Sequence, residues 1–85
     1  MDTNETIERL CKFIKKCQKN YRKPDLHTFW IDTENCGRAY IECGQKTVRI
    51  EYFNGLDDMR LKFDNALEAA TYLTDIGALY NTIDM

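Results

Sequence analysis

Four cysteines, one histidine and the adjacent pair Asp57-Asp58 are the side chains of this 85-residue chain whose types admit metal or catalytic chemistry. Structural zinc takes thiolates at short spacing, as in C-x2-C. Cys11, Cys17, Cys36 and Cys43 offer no such pair. Cys11, Cys17 and Cys43 are expected to be buried as small hydrophobes, and Cys36, in Glu34-Asn35-Cys36-Gly37, to be exposed in a loop. Nucleophilic catalysis needs a base beside the nucleophile and a further group to orient that base. Serine is absent. His27 and Cys36 flank one predicted hairpin, so a thiol–imidazole pair forms only if the strands align them. Asp57-Asp58 reads as a solvated turn. The four glycines are accounted for by turns and a helix stop, leaving no phosphate-cradling loop. The expectation is a non-enzymatic chain with no cofactor and no metal.

Charge is distributed unevenly. Between Arg9 and Lys23 there are seven basic residues and no acid. At 100° per residue Arg9, Lys12, Lys15, Lys16, Lys19, Arg22 and Lys23 share one arc of a helix, opposite Ile7, Leu10, Phe13, Ile14 and Cys17. The whole chain carries −2, so the remainder is acidic, and Phe63–Met85 holds four acids and no base. Such polarity recruits an oppositely charged partner, whereas scattered charge serves solubility. Three readings of the basic arc stand: a solvated face, contact with nucleic-acid phosphates through Arg9, Lys12, Lys16, Lys19 and Lys23, or contact with an acidic protein surface. Membrane binding is not expected, because the apolar arc is needed for the core.

These side chains must be positioned by few elements. A first helix begins after Asp2 or Thr3, with Asp2 and Glu5 at capping-box spacing, and runs toward Pro24, with Tyr21 to Lys23 in or just past its last turn. Strands follow at His27–Thr33, Arg38–Cys43, Lys46–Phe53 and Met59–Phe63. Gly44-Gln45 is predicted to form a tight turn of the type that favours glycine first, and Asn54-Gly55 another turn. Asp64-Asn65 caps a second helix that reaches Ile76 and stops at Gly77, after which Leu79, Tyr80 and Ile83 allow the tail to dock. The result is one α+β domain over residues 1–85: an N-terminal helix, a four-stranded antiparallel β-meander and a C-terminal helix (α-β-β-β-β-α), with both helices on one face of the sheet.

Alternation along the strands separates two faces. Phe29, Ile31, Ala39, Ile41, Cys43, Val48, Ile50, Tyr52, Met59, Leu61 and Phe63 form the helix-covered side. Thr28, Trp30, Asp32, Arg38, Tyr40, Glu42, Thr47, Arg49, Glu51, Phe53, Arg60 and Lys62 form the open side. An open face carrying Trp30, Tyr40 and Phe53 beside Arg38, Arg49 and Arg60 has the composition of a protein interface. Aromatics and arginines on a sheet also stack single-stranded nucleic acid, and cross-strand aromatic pairs stabilise a thin sheet without any ligand. Glu42, Glu51 and Asp32 count against a phosphate track there.

The helix–meander–helix order resembles the double-stranded-RNA-binding domain over most of the chain, which implies that arrangement of elements. The lysine cluster that family carries at the start of its second helix is replaced here by Asp64-Asn65-Ala66-Leu67-Glu68. A meander followed by one helix is similar to single-strand-binding transcription coactivator folds. In size and polarity the chain resembles small phage and mobile-element proteins, anti-CRISPR proteins among them, that block host machinery by occupying a surface. The resulting expectation is a non-catalytic protein-binding module, a phage-type inhibitor or adaptor. It would bind another protein, or a second copy as a homodimer, through Trp30, Tyr40, Phe53, Arg38, Arg49 and Arg60. A nucleic-acid binder using the basic helix and the aromatic face is the alternative. The polar, acidic start of the chain and the lack of a long apolar run predict a cytoplasmic location, possible in a host cell as well.

Overall fold

The computed structural model describes residues 2–22 and 25–85. Its elements are α1 (Thr3–Lys19), β1 (His27–Thr33), β2 (Gly37–Cys43), β3 (Val48–Phe53), β4 (Asp58–Phe63), α2 (Ala66–Asp75) and a 3-10 turn at Tyr80–Thr82. The strands lie in the order β1-β2-β3-β4, antiparallel throughout. This is the α-β-β-β-β-α order read from the sequence.

Each helix begins where a short polar side chain takes up an orphan amide. The Asp2 carboxylate accepts from the Glu5 N–H at 2.8 Å, and the Asn65 side-chain oxygen from the Glu68 N–H at 2.9 Å. Leu10, Ile14 and Cys17 from α1 and Ala66, Ala69, Ala70 and Leu73 from α2 share one core with the inner side of the sheet. The small residues on α2 let the helices pack closely, as their mutual contact reflects. Phe29 lies at the centre, fully buried, with Phe13 edge-on at 4.9 Å between ring centroids. Coverage thins toward β4, where Met59, Leu61 and Phe63 are only half-buried. The Tyr52 and Tyr72 hydroxyls are hydrogen-bonded, tying β3 to α2, and burial raises the Tyr52 hydroxyl above its ordinary value.

Three local expectations are corrected. Helix α1 stops at Lys19 instead of running toward Pro24. Asn20 caps it, its N–H meeting the Lys16 carbonyl at 3.1 Å, and the Arg22 carbonyl accepts from the Asp25 N–H at 2.9 Å. Asparagine is a weak helix former and a good terminator, so the break precedes the proline. Lys23 and Pro24, the expected last turn and stop, lie outside the described residues. Strand β3 starts at Val48 instead of Lys46, because residues 44–47 close the β2–β3 turn through a 2.9 Å bond from the Gly44 N–H to the Thr47 carbonyl. Gly44 does not take the positive φ expected of it. A Cβ there would sit 3.2 Å from Thr47 Oγ1, so closeness explains that glycine better than handedness.

Gly77 does have positive φ, +83°, and it carries the chain from α2 onto the β1–β2 loop, where its carbonyl accepts from the Glu34 N–H at 2.9 Å. A Cβ there would lie 2.9 Å from Glu34 Cβ and 3.1 Å from the Glu34 nitrogen. Gly77→Ala is expected to destabilise the domain by at least about 1–2 kcal/mol, the cost of a left-handed L-residue before any clash is counted. Urea unfolding measures it, and a loss under a few tenths of a kcal/mol would contradict this account.

Candidate functional site

The tail does more than dock. It runs along β1 and pairs with it, the Trp30 N–H meeting the Asp84 carbonyl at 2.7 Å and the Asp84 N–H returning to the Trp30 carbonyl at 2.9 Å. The Leu79 N–H bonds the Asp32 carbonyl at 2.8 Å. This brings the Asp84 carboxylate to the open side of the sheet, where it takes a 2.7 Å hydrogen bond from Arg38. Asp32, directly across from Arg38, adds a longer ion pair at 3.9 Å. So held, the Arg38 guanidinium lies 5.3 Å from the centre of the Trp30 ring, a cation–π contact. Trp30 in turn packs on its cross-strand partner Tyr40 at 4.5 Å between centroids.

Trp30, Tyr40, Phe53, Arg38, Glu51 and Arg60 line one open depression of about 390 Å³. Trp30 remains 42 % exposed and Phe53 59 % exposed. Arg60 is paired with Glu51, its cross-strand neighbour, at 3.3 Å. Five of the six residues expected to bind a partner therefore converge. Arg49 does not join them. It lies one row over, between Glu42 on β2 and Lys62 on β4, in a charged strip beside the aromatic patch. The depression is open to solvent.

Glu42 carries the perturbed titration of this face. Burial first, then the neighbouring Glu51 carboxyl, raise its carboxyl above the ordinary value, while Arg49 pulls it down in part. The folded chain thus holds this proton more tightly than the unfolded chain does. Stability from this group is present below the ordinary value of 4.5 and is lost as pH rises through the raised folded value. Glu42→Gln is expected to raise the melting temperature at pH 7, with a gain of at most about 1 kcal/mol because the group is partly solvated. The gain should vanish near pH 4; an equal gain at both pH values would remove titration as its cause.

The chemistry-bearing residues noted in the sequence do not assemble. His27 pairs with Cys43 at one end of the first hairpin, whereas Cys36 sits in the loop at the other. The length of β1, on the order of 20 Å, separates them, so the thiol–imidazole pair is ruled out by register. Cys36 is half-buried and packs against the core instead of being exposed, and Cys11 is half-buried as well. The neighbouring Cys17 thiol and burial push the Cys43 thiol up, which keeps it an inert hydrophobe. Among the described residues no three His, Cys, Asp or Glu side chains converge as a metal site would need. None of the described helices is long and apolar enough to cross a membrane.

The basic arc lies on the far side of the molecule, on the solvent side of α1. Arg9, Lys12 and Lys16 flank a depression floored by Phe13 and Tyr80, with Arg9 5.8 Å from the Tyr80 ring centre and Lys12 paired to Glu8 at 3.7 Å. Lys15, Lys19 and Arg22 line a second with Gln18, Tyr21 and Gln45. Lys23, expected to belong to this set, lies outside the described residues. The sheet and the core beneath it lie between the two surfaces.

Sequence reasoning missed one contributor to the open face and one exposed apolar side chain. Asp84 is 46 residues from Arg38, and no local pattern announces their contact. Leu56, at the β3–β4 turn, is 86 % exposed, and only its apolar character within a turn could have marked it. The chain matches no protein-family model, no curated protein and no solved structure, so its likeness to double-stranded-RNA-binding domains is one of element order alone.

Proposed function

We propose that this chain is a non-enzymatic protein-binding module that acts by occupying a surface of its partner, as an inhibitor or adaptor of the kind phage and mobile elements encode, in the cytoplasm. The observation that carries this reading is the Trp30–Tyr40 pair with Arg38 held over it by Asp84. Tryptophan, tyrosine and arginine dominate binding hot spots. Here Trp30 and Arg38 are exposed and Tyr40 half-buried, each held by its neighbours, so less side-chain entropy is lost on docking. The acidic tail supplies charge that steers approach to a basic partner.

The nucleic-acid alternative draws on the basic face of α1 and the tyrosines in its depressions. Its two halves face opposite ways, so one strand cannot lie on the lysines and stack on Trp30 at the same time. Site-specific photo-crosslinking separates the readings. A crosslinker at position 53 should capture one protein in lysate of the source cells, and Trp30→Ala should abolish capture while Lys16→Glu leaves it unchanged. Fluorescence anisotropy with single-stranded and duplex oligonucleotides, at about 50 and about 200 mM salt, is the counter-test. Tight, salt-sensitive binding lost on replacing Lys12, Lys16 and Lys19 with Glu would overturn the protein-binding reading.

A further inference from the structure

The two edges of the sheet are finished differently. On β1 the outward backbone groups of Trp30 and Asp32 are taken up by the tail, the Asp32 N–H ending on Thr82 Oγ1 at 2.8 Å. On β4 they are not. Residues along an antiparallel strand alternate between bonding their partner and pointing away from it. The Asn54 N–H to Asp57 carbonyl bond, 3.1 Å, sets the phase of the β3–β4 ladder. Met59, Leu61 and Phe63 therefore bond to β3. The N–H and C=O groups of Asp58, Arg60 and Lys62 point away from the sheet, and among the described residues no hydrogen bond ends on them.

We propose that the β4 edge accepts an extended segment of a partner protein as an added strand, and that this segment alternates acidic and apolar residues. Side chains on the edge specify the alternation. Arg60 and Lys62 stand on the open face, and Lys62, with its neighbour Arg49, makes no ion pair among the described residues. Met59, Leu61 and Phe63, on the other face, are left half-covered by the helices. A strand laid beside β4 places every second side chain against the cations and the others against the uncovered apolar side chains. Antiparallel self-pairing about Leu61 sets Arg60 against Lys62, like charges directly opposed, whereas pairing about Met59 sets Asp58 against Arg60, so a second copy is the occupant the test has to separate from a partner segment.

The inference rests on the protein-binding reading but not on the aromatic patch, so the two can fail separately. The probe is a capped peptide of about eight residues, a normal strand length, alternating Glu and Val. Comparison peptides carry the same residues in two blocks, or Lys in place of Glu. Titration into the full-length protein, followed by amide NMR, should shift and protect the Arg60 and Lys62 amides. The block peptide should bind at least about tenfold more weakly, and the lysine peptide not measurably. Lys62→Pro removes an outward donor without touching a β3–β4 bond and should abolish binding, whereas Lys62→Ala should only weaken it. If the proline variant does not fold, N-methylation of the peptide on alternate residues makes the same test from the other side. Trp30→Ala should leave peptide binding intact. Equal binding of alternating and block peptides, or shifts confined to α1 or to Trp30, would overturn the proposal. So would a dimer in sedimentation with its Arg60 and Lys62 amides already protected, which would make a second copy the occupant.

Discussion

Trp30→Ala leaves the domain folded and weakens its complex with the crosslinked partner by about 30-fold or more, the consequence of removing a hot-spot side chain worth at least 2 kcal/mol. The ring faces away from the core and touches Tyr40 and Arg38, both on the open face. Stability should therefore fall by no more than about 1 kcal/mol, the range of an aromatic pair at a surface. Affinity should fall much further, because truncation leaves Tyr40 without its neighbour and Arg38 without the ring beneath it. Circular dichroism melting gives the first quantity and calorimetric titration of the partner the second. A large loss of melting temperature with affinity preserved in the folded fraction would show that the aromatic pair serves the sheet and not a ligand.

Phe29→Ala, one residue away, has the opposite outcome. Phe29 is fully buried on the helix-covered side of the sheet and meets Phe13 edge-on. Deleting a buried phenylalanine costs about 3–5 kcal/mol, from lost transfer energy and the cavity left behind. Domains of this size hold about 5–10 kcal/mol in all, so the melting temperature should drop on the order of 20 °C. Affinity measured on the folded fraction should be nearly unchanged. Adjacent residues of one strand thus separate stability from binding, because a strand presents them to opposite faces. Similar effects of both substitutions on stability would mean that the face assignment is wrong.

That face assignment was legible without coordinates. Alternation in His27–Thr33, in Arg38–Cys43 and along β4 places core and surface positions by period alone, and the structure buries Phe29, Ile31, Ala39, Ile41, Cys43, Val48 and Ile50 as that period requires. The thinner cover over Met59, Leu61 and Phe63 was not legible. It depends on how far the two helices reach across the sheet, a matter of their lengths and crossing and not of β4 itself.

What the amino-acid order determined by itself is whatever rests on neighbours a few residues apart: the two capped helices, the meander with its short turns, the side of the sheet each residue takes, and the one-sided charge of α1. Tertiary structure alone decided the rest. It joined Asp84 to Arg38 and so fixed Arg38 over Trp30, closed one sheet edge with the tail and left the other open, and moved Arg49 out of the aromatic patch. It also held His27 and Cys36 apart and set the basic and aromatic surfaces on opposite sides of the molecule. Each of these depends on residues brought together from distant parts of the chain, and such contacts follow from how complete elements pack, which no local period encodes.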